Sequence, residues 1–186
     1  MGKKKPMWIL FAIMVISILG ILSYSGLSIS ADKVPTKIVV RAVSHDAKVI
    51  GSGVGGAYIR IVNLETGETL AEGKQEGGTG NTDRIMVQPH RRGEPVYDTP
   101  DTASFHAEIP LAGPIRVEIQ AEAPLAYPQA LQRGSKTLTL IPGNHILGEG
   151  VIIELNGLIV SLLSPLDSKI LNPREEVEIK AEVKYL

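Results

Sequence analysis

The sequence predicts an all-β protein, a sandwich or open barrel of short strands, behind one N-terminal hydrophobic helix. Three observations predict it. Apolar and polar residues alternate with a period of two in segment after segment beyond residue 36. No segment after residue 30 sustains the 3.6 period of an amphipathic helix. Nineteen glycines and 12 prolines punctuate the runs, as expected of strands joined by tight turns.

The elements follow in chain order. Residues 1–30 begin with Lys3, Lys4 and Lys5, and Met7 to Leu27 carries no charge. A membrane-spanning helix needs ~20 apolar residues, whereas the apolar core of a signal peptide has ~7–15. Length therefore favours an uncleaved anchor, and Ser28-Ile29-Ser30 leaves cleavage open as the other fate. In both cases the lysines favour the cytoplasm and everything after residue 30 is exported. The location expected is the cell membrane, single-pass with the C-terminal part outside, or secreted or periplasmic if the leader is removed. Pro6 stands where a myristoylation signal needs Ser or Thr.

Residues 31–36 read as a polar linker, and 37–186 as the β-sandwich domain. Strands are expected at Lys37–Val43, Ala57–Asn63, Ala103–Ile109, Arg116–Glu122, Lys136–Ile141 and Gly150–Leu155. The strictest alternation comes last: Val177, Ile179, Ala181 and Val183 interleave with Glu178, Lys180, Glu182 and Lys184. Each such strand is expected to turn one face to a core and one to water. Residues 164–186 are too few for a sandwich of their own. They are expected to complete the first one, with a separate segment or strand donation to another molecule as the alternatives.

Gly51, Gly53 and Gly56 spell G-x-G-x-x-G. A dinucleotide site needs a helix behind these glycines to face the pyrophosphate. Here "AYIRIVN" follows, a strand pattern, so the motif reads as a turn feeding a tightly packed strand. That turn opens "GGAYIRIVNLETGETLAEG", Gly55 to Gly73. The stretch resembles the first hairpin of carboxypeptidase-regulatory-like and transthyretin-like domains. Ala57, Ile59 and Ile61 stand in the first strand, Glu65-Thr66-Gly67-Glu68 in the turn and Thr69 to Ala71 in the return. The resemblance implies an antiparallel sandwich of seven or eight strands used for binding or spacing, not catalysis. Ser164 to Val183 is similar to the entry strands of bacterial Ig-like modules.

Composition excludes several functions. With 19 basic and 20 acidic residues, net charge is -1, which offers nucleic acid no electrostatic footprint. The absence of cysteine removes disulfides, lipid-anchored cysteine and thiolate metal sites. No calcium loop, nucleophile elbow or catalytic triad is legible, so neither an enzyme nor a cofactor is expected. Ser135 beside Lys136 sits at a strand start, where no base is positioned to activate it. Among the four histidines, His45 with Asp46, and His90, are the candidate metal ligands, to be gathered in space if at all.

Two segments invite a partner. Gln88 to Thr102 is a long proline-rich loop carrying His90, Arg91, Arg92, Tyr97 and Asp98. Long loops are often functional, and Arg and Tyr anchor interfaces. Glu122 to Ser135 adds Tyr127 and Arg133, with a helical turn expected at "PQALQRG". The function expected is a membrane-tethered binding or assembly module, partnered by protein or by itself: an accessory subunit of a membrane complex or an envelope spacer. The alternative is a small periplasmic metal- or ligand-binding protein using His45 and His90.

Overall fold

The computed structural model describes residues 32–45, 47–165, 170–174 and 176–185. The leader, Ala31 and Asp46 lie outside the described residues.

The chain is all-β. Strand β1 (Val34–Ser44) is the centre of a three-stranded sheet, flanked by β4 (Phe105–Leu111) and β7 (Ile146–Leu155). A second sheet runs in the order β3 (Thr69–Gln75), β2 (Ala57–Asn63), β5 (Ile115–Ala123), β6 (Gln132–Leu140). One aliphatic core joins them. Ile38, Val40, Ile109 and Ile153 come from the first sheet, and Ile59, Ile61, Val117 and Ile119 from the second. The arrangement is sandwich-like, and the alternating residues named above for β2 and β5 lie buried as their pattern demands.

Strand β1 begins at Val34, so the expected linker 31–36 already contains its first residues. Its pairing with β4 is antiparallel, but its pairing with β7 is parallel, which alternation alone does not distinguish. Strand β1 is buried on both faces from Ile38 onward, because the segment 76–104 crosses its outer side. That segment includes one helical turn, α1 (Thr82–Met86), capped by the Asn81 side chain.

Two close approaches fix the sheets against each other. At Gly134 in β6, a Cβ would stand 2.8 Å from Leu155 Cδ2 and 3.1 Å from the Glu154 carbonyl oxygen of β7, so a larger residue there would have to displace β7 side chains. At the end of β3, buried Gln75 reaches across to the other sheet. Its Oε1 accepts from Ala42 N–H at 2.7 Å, and its Nε2 donates to the carbonyls of Ala42 at 3.0 Å and Ile50 at 2.9 Å. The pairing of β1 with β4 ends at Val40. One side-chain amide thus stands in for a neighbouring strand two residues beyond. The G-x-G-x-x-G stretch forms a 3-10 turn (Ser52–Val54) leading into β2. Gly56 adopts φ 73°, and a Cβ there would meet Gln75 O at 2.3 Å.

The last two strands depart from expectation. Strand β8 (Leu158–Ser164) pairs antiparallel with β9 (Lys180–Tyr185) in a two-stranded ribbon that joins neither sheet. The alternation over 177–183 therefore does not bury its apolar face. Ile179 is 72% exposed, Val183 57% and Tyr185 78%.

Candidate functional site

Three surfaces carry the candidate residues: the long loop over β1, the outer face of the second sheet, and the ribbon.

The loop is fastened from beneath. Arg41 occupies an outward position on β1 yet is 4% exposed. Its guanidinium donates to the carbonyls of Gly148 and Glu149 and, at 2.9 Å, to Asp98 Oδ1. Its Nε is buried without a partner among the described residues. The Glu149 carboxylate accepts from the backbone N–H groups of Val96, Tyr97 and Asp98 at 3.0–3.2 Å. Such donors are left over wherever a loop leaves the ladder, and a carboxylate satisfies several at once. Tyr97 is half-buried and packs on Val43, Val49 and Ala103. Two of the expected partner-binding residues, Tyr97 and Asp98, thus serve to hold the loop.

The tip of the loop behaves differently. Arg91 and Arg92 are exposed beside the turn at Gly93. His90 Nε2 donates to the Arg84 carbonyl at 2.6 Å. His45 lies at the end of β1, its Nδ1 3.2 Å from Glu154 Oε2. Each histidine has its own partner, and among the described residues no group of three His, Asp or Glu side chains could hold a metal ion.

The outer face of the second sheet bounds an open concavity of about 560 Å³, lined by Tyr58, Arg60, Glu118, Gln120, Glu122 and Arg133. Its charges are matched across neighbouring strands. Arg60 Nε donates to Glu72 at 3.0 Å and the guanidinium lies 5.8 Å from the Tyr58 ring centre. Arg133, a partner candidate, meets Glu122 at 2.7 Å. Gln120 Nε2 and Ser135 Oγ donate to Glu118 at 2.8 and 2.9 Å, which holds its carboxyl below the usual range. The Arg60 guanidinium does the same for Glu72. These are cross-strand pairs on a solvated face, each of modest energy.

The ribbon is where apolar surface is left uncovered. One face holds to the sandwich: Ile159 is buried on Ala130, with Val54 and Tyr127 around it. Tyr127 sits at the start of the expected helical turn, a 3-10 turn over Pro128–Ala130. Its ring lies 5.9 Å from Lys184 Nζ, so this candidate residue seats the ribbon. The other face pairs Leu158 with Tyr185, Val160 with Val183 and Leu162 with Ala181, and it is exposed along its length. An isolated two-stranded ribbon is marginal in water, and contiguous exposed apolar surface marks interaction sites. Strand β8 escapes the alternation test because "LIVSLL" is apolar on both faces. The Asn156-Gly157 pair before it is the signal that could have separated it from β7.

No family model, no curated protein and no solved structure matches this chain. Among the described residues no helix is long and apolar enough to cross a membrane, and the leader lies outside them.

Proposed function

We propose that this chain is a membrane-tethered, exported β-sandwich that works by binding and assembly rather than catalysis, as an accessory subunit of a membrane complex or an envelope spacer. The observation that carries the reading is the outward apolar face of the ribbon, Leu158, Val160, Leu162, Val183 and Tyr185. A chain gains nothing in isolation from leaving these side chains in water; four of the five are about half exposed, and completing the burial of each against a partner contributes on the order of 1 kcal/mol. The run Met7 to Leu27 behind Lys3, Lys4 and Lys5 supports the tether and the outward orientation. The hairpin of β2 and β3, turning through Glu65-Thr66-Gly67-Glu68, supports a carboxypeptidase-regulatory-like or transthyretin-like placement, with an Ig-like one as the alternative.

The test uses a photoreactive residue at single positions of the full chain in its native membrane. Adducts with discrete proteins are expected at positions 160 and 183. None are expected at Thr137, which is exposed on β6 of the second sheet. Equal labelling at 137, or none at 160 and 183, refutes the ribbon as the contact surface. Protease added to cells stripped of any outer envelope should reach residues 34–185, while protease added to inside-out membrane vesicles should not; the reverse pattern would refute the outward orientation.

A further inference from the structure

The free edge of β9 carries more information than the apolar face does. Strand β9 is hydrogen-bonded to β8 on one side and, among the described residues, to no strand on the other. Edges are commonly protected by charged side chains, especially lysine, and a row of one sign would repel a second copy of itself. Here the charged side chains run Glu178, Lys180, Glu182, Lys184, strictly alternating in sign; the last three lie in β9 and Glu178 two residues ahead of it, so a pairing that uses all four extends the strand back by that much. They already pair along the strand, Lys180 with Glu178 at 3.2 Å and Lys184 with Glu182 at 3.0 Å. A strand with this pattern is its own complement when a second copy lies antiparallel beside it.

Face and charge together select the register. Because side chains alternate between faces, only registers that place apolar opposite apolar keep the faces intact. Among these, placing Glu182 opposite Glu182 also sets Lys180 against Lys184, and like charges oppose each other. Shifting by two residues along the partner sets Ala181 opposite Ala181. Lys180 then faces Glu182 and Glu178 faces Lys184, each pair occurring twice by symmetry. On the other face Ile179 meets Val183 and Val177 meets Tyr185. The opposite shift centres on Val183 and opposes Glu182 to Lys184 as its sole charged pairing among residues 178–185. A parallel pairing in equal register stacks Glu on Glu and Lys on Lys.

We infer that the partner of β9 is a second copy of this chain, paired antiparallel edge to edge about a two-fold axis at Ala181. The pairing is isologous, so it closes at two copies instead of propagating. It makes one four-stranded sheet in the order β8, β9, β9, β8, and the two apolar faces become continuous across the axis. The inference deepens the reading proposed above, since two copies tethered in one bilayer meet at high effective concentration and a short edge then suffices.

The chain has no cysteine, so single cysteines report the pairing directly. The full chain carrying Ala181→Cys, in detergent micelles under mild oxidation, should form a covalent dimer at least tenfold faster than Val183→Cys or Thr137→Cys. Residues opposite one another in an antiparallel pair have Cα atoms ~4.5–5.5 Å apart, within disulfide reach, whereas position 183 faces 179 in this register. Lys180→Glu, added to Ala181→Cys, should slow dimer formation to the control rate, because two carboxylates then meet across the axis. Adding Glu182→Lys as well should restore it, because positions 180 and 182 again carry opposite charges where they face each other. Equal rates at 181 and 137, a faster rate at 183 than at 181, or indifference to the charge changes would each overturn the inference. Contact through the leader alone predicts that indifference. The two proposals fail separately: photo-adducts with other proteins at 160 and 183 survive the loss of self-pairing, and a cysteine dimer without them leaves only self-pairing standing.

Discussion

Strands β5 and β9 have nearly the same pattern and opposite fates. In β5, Val117, Ile119 and Ala121 alternate with Glu118, Gln120 and Glu122; in β9 and the residues before it, Ile179, Ala181 and Val183 alternate with Lys180, Glu182 and Lys184. Ile119 is fully buried in the core, while Val183 is more than half exposed. Strand β5 lies between β2 and β6 and under the first sheet, whereas β9 has one neighbour and nothing over its apolar face among the described residues. Alternation therefore reports which side chains share a face, and says nothing of what covers that face. The covering has to come from another layer, and among the described residues β9 has none.

The contrast gives its largest effect in a pair of truncations. Ile119→Ala should lower unfolding free energy by about 4 kcal/mol, the cost of a cavity in a packed aliphatic core. Val183→Ala should change it by about 0.5 kcal/mol or less, as for other exposed sites. Denaturant unfolding of both variants measures the difference, and similar losses would show that β9 is covered after all. Next in size is the amide that bridges the sheets. Gln75→Leu leaves Ala42 N–H and the Ile50 carbonyl without their partner and should cost about 3 kcal/mol. Asp98→Ala strips the buried Arg41 of its counter-charge and should cost about 2 kcal/mol. It should also speed amide exchange at Val96 and Tyr97, whose N–H groups bond Glu149. Unchanged exchange there would mean that Glu149 alone holds the loop.

The smallest effect concerns the solvated side of β5. Hydrogen bonds from Gln120 and Ser135 lower the folded pKa of Glu118. A depressed carboxylate stabilises the fold above its unfolded pKa, and that contribution is lost as pH falls through the folded value. Ser135→Ala should move the Glu118 carboxyl back toward the ordinary range in a carbon-detected titration. Any stability difference from the wild type should vanish at pH below the folded pKa. A difference persisting there would assign it to packing.

Much of the sandwich was legible because its strands obey local rules. Ala57, Ile59 and Ile61 declared their face, and Gly55 and Gly56 declared a turn before them. The parallel partnership of β1 with β7 was not legible, since nothing local to either strand encodes the direction of a neighbour. The burial of Arg41 is not legible for the same reason: an arginine on a strand reads as solvent-facing until the loop that buries it is known. Of the expected interaction residues, Arg91 and Arg92 remain outward, whereas Tyr97, Asp98 and Tyr127 turn out to hold the molecule's own parts together. Side-chain type marks a residue suited to an interface, internal or external, without telling the two apart.

The position of β1 has a mechanical consequence. It is the first strand described, and it runs between two neighbours with both faces covered from Ile38 onward. Tension applied to the residues ahead of Val34 pulls along this strand, and the bonds to β4 lie crosswise to that direction. They share the load and must yield as a group, where a hairpin peeled from its open end gives way bond by bond. A load applied at that end would thus fall on a ladder of bonds acting together.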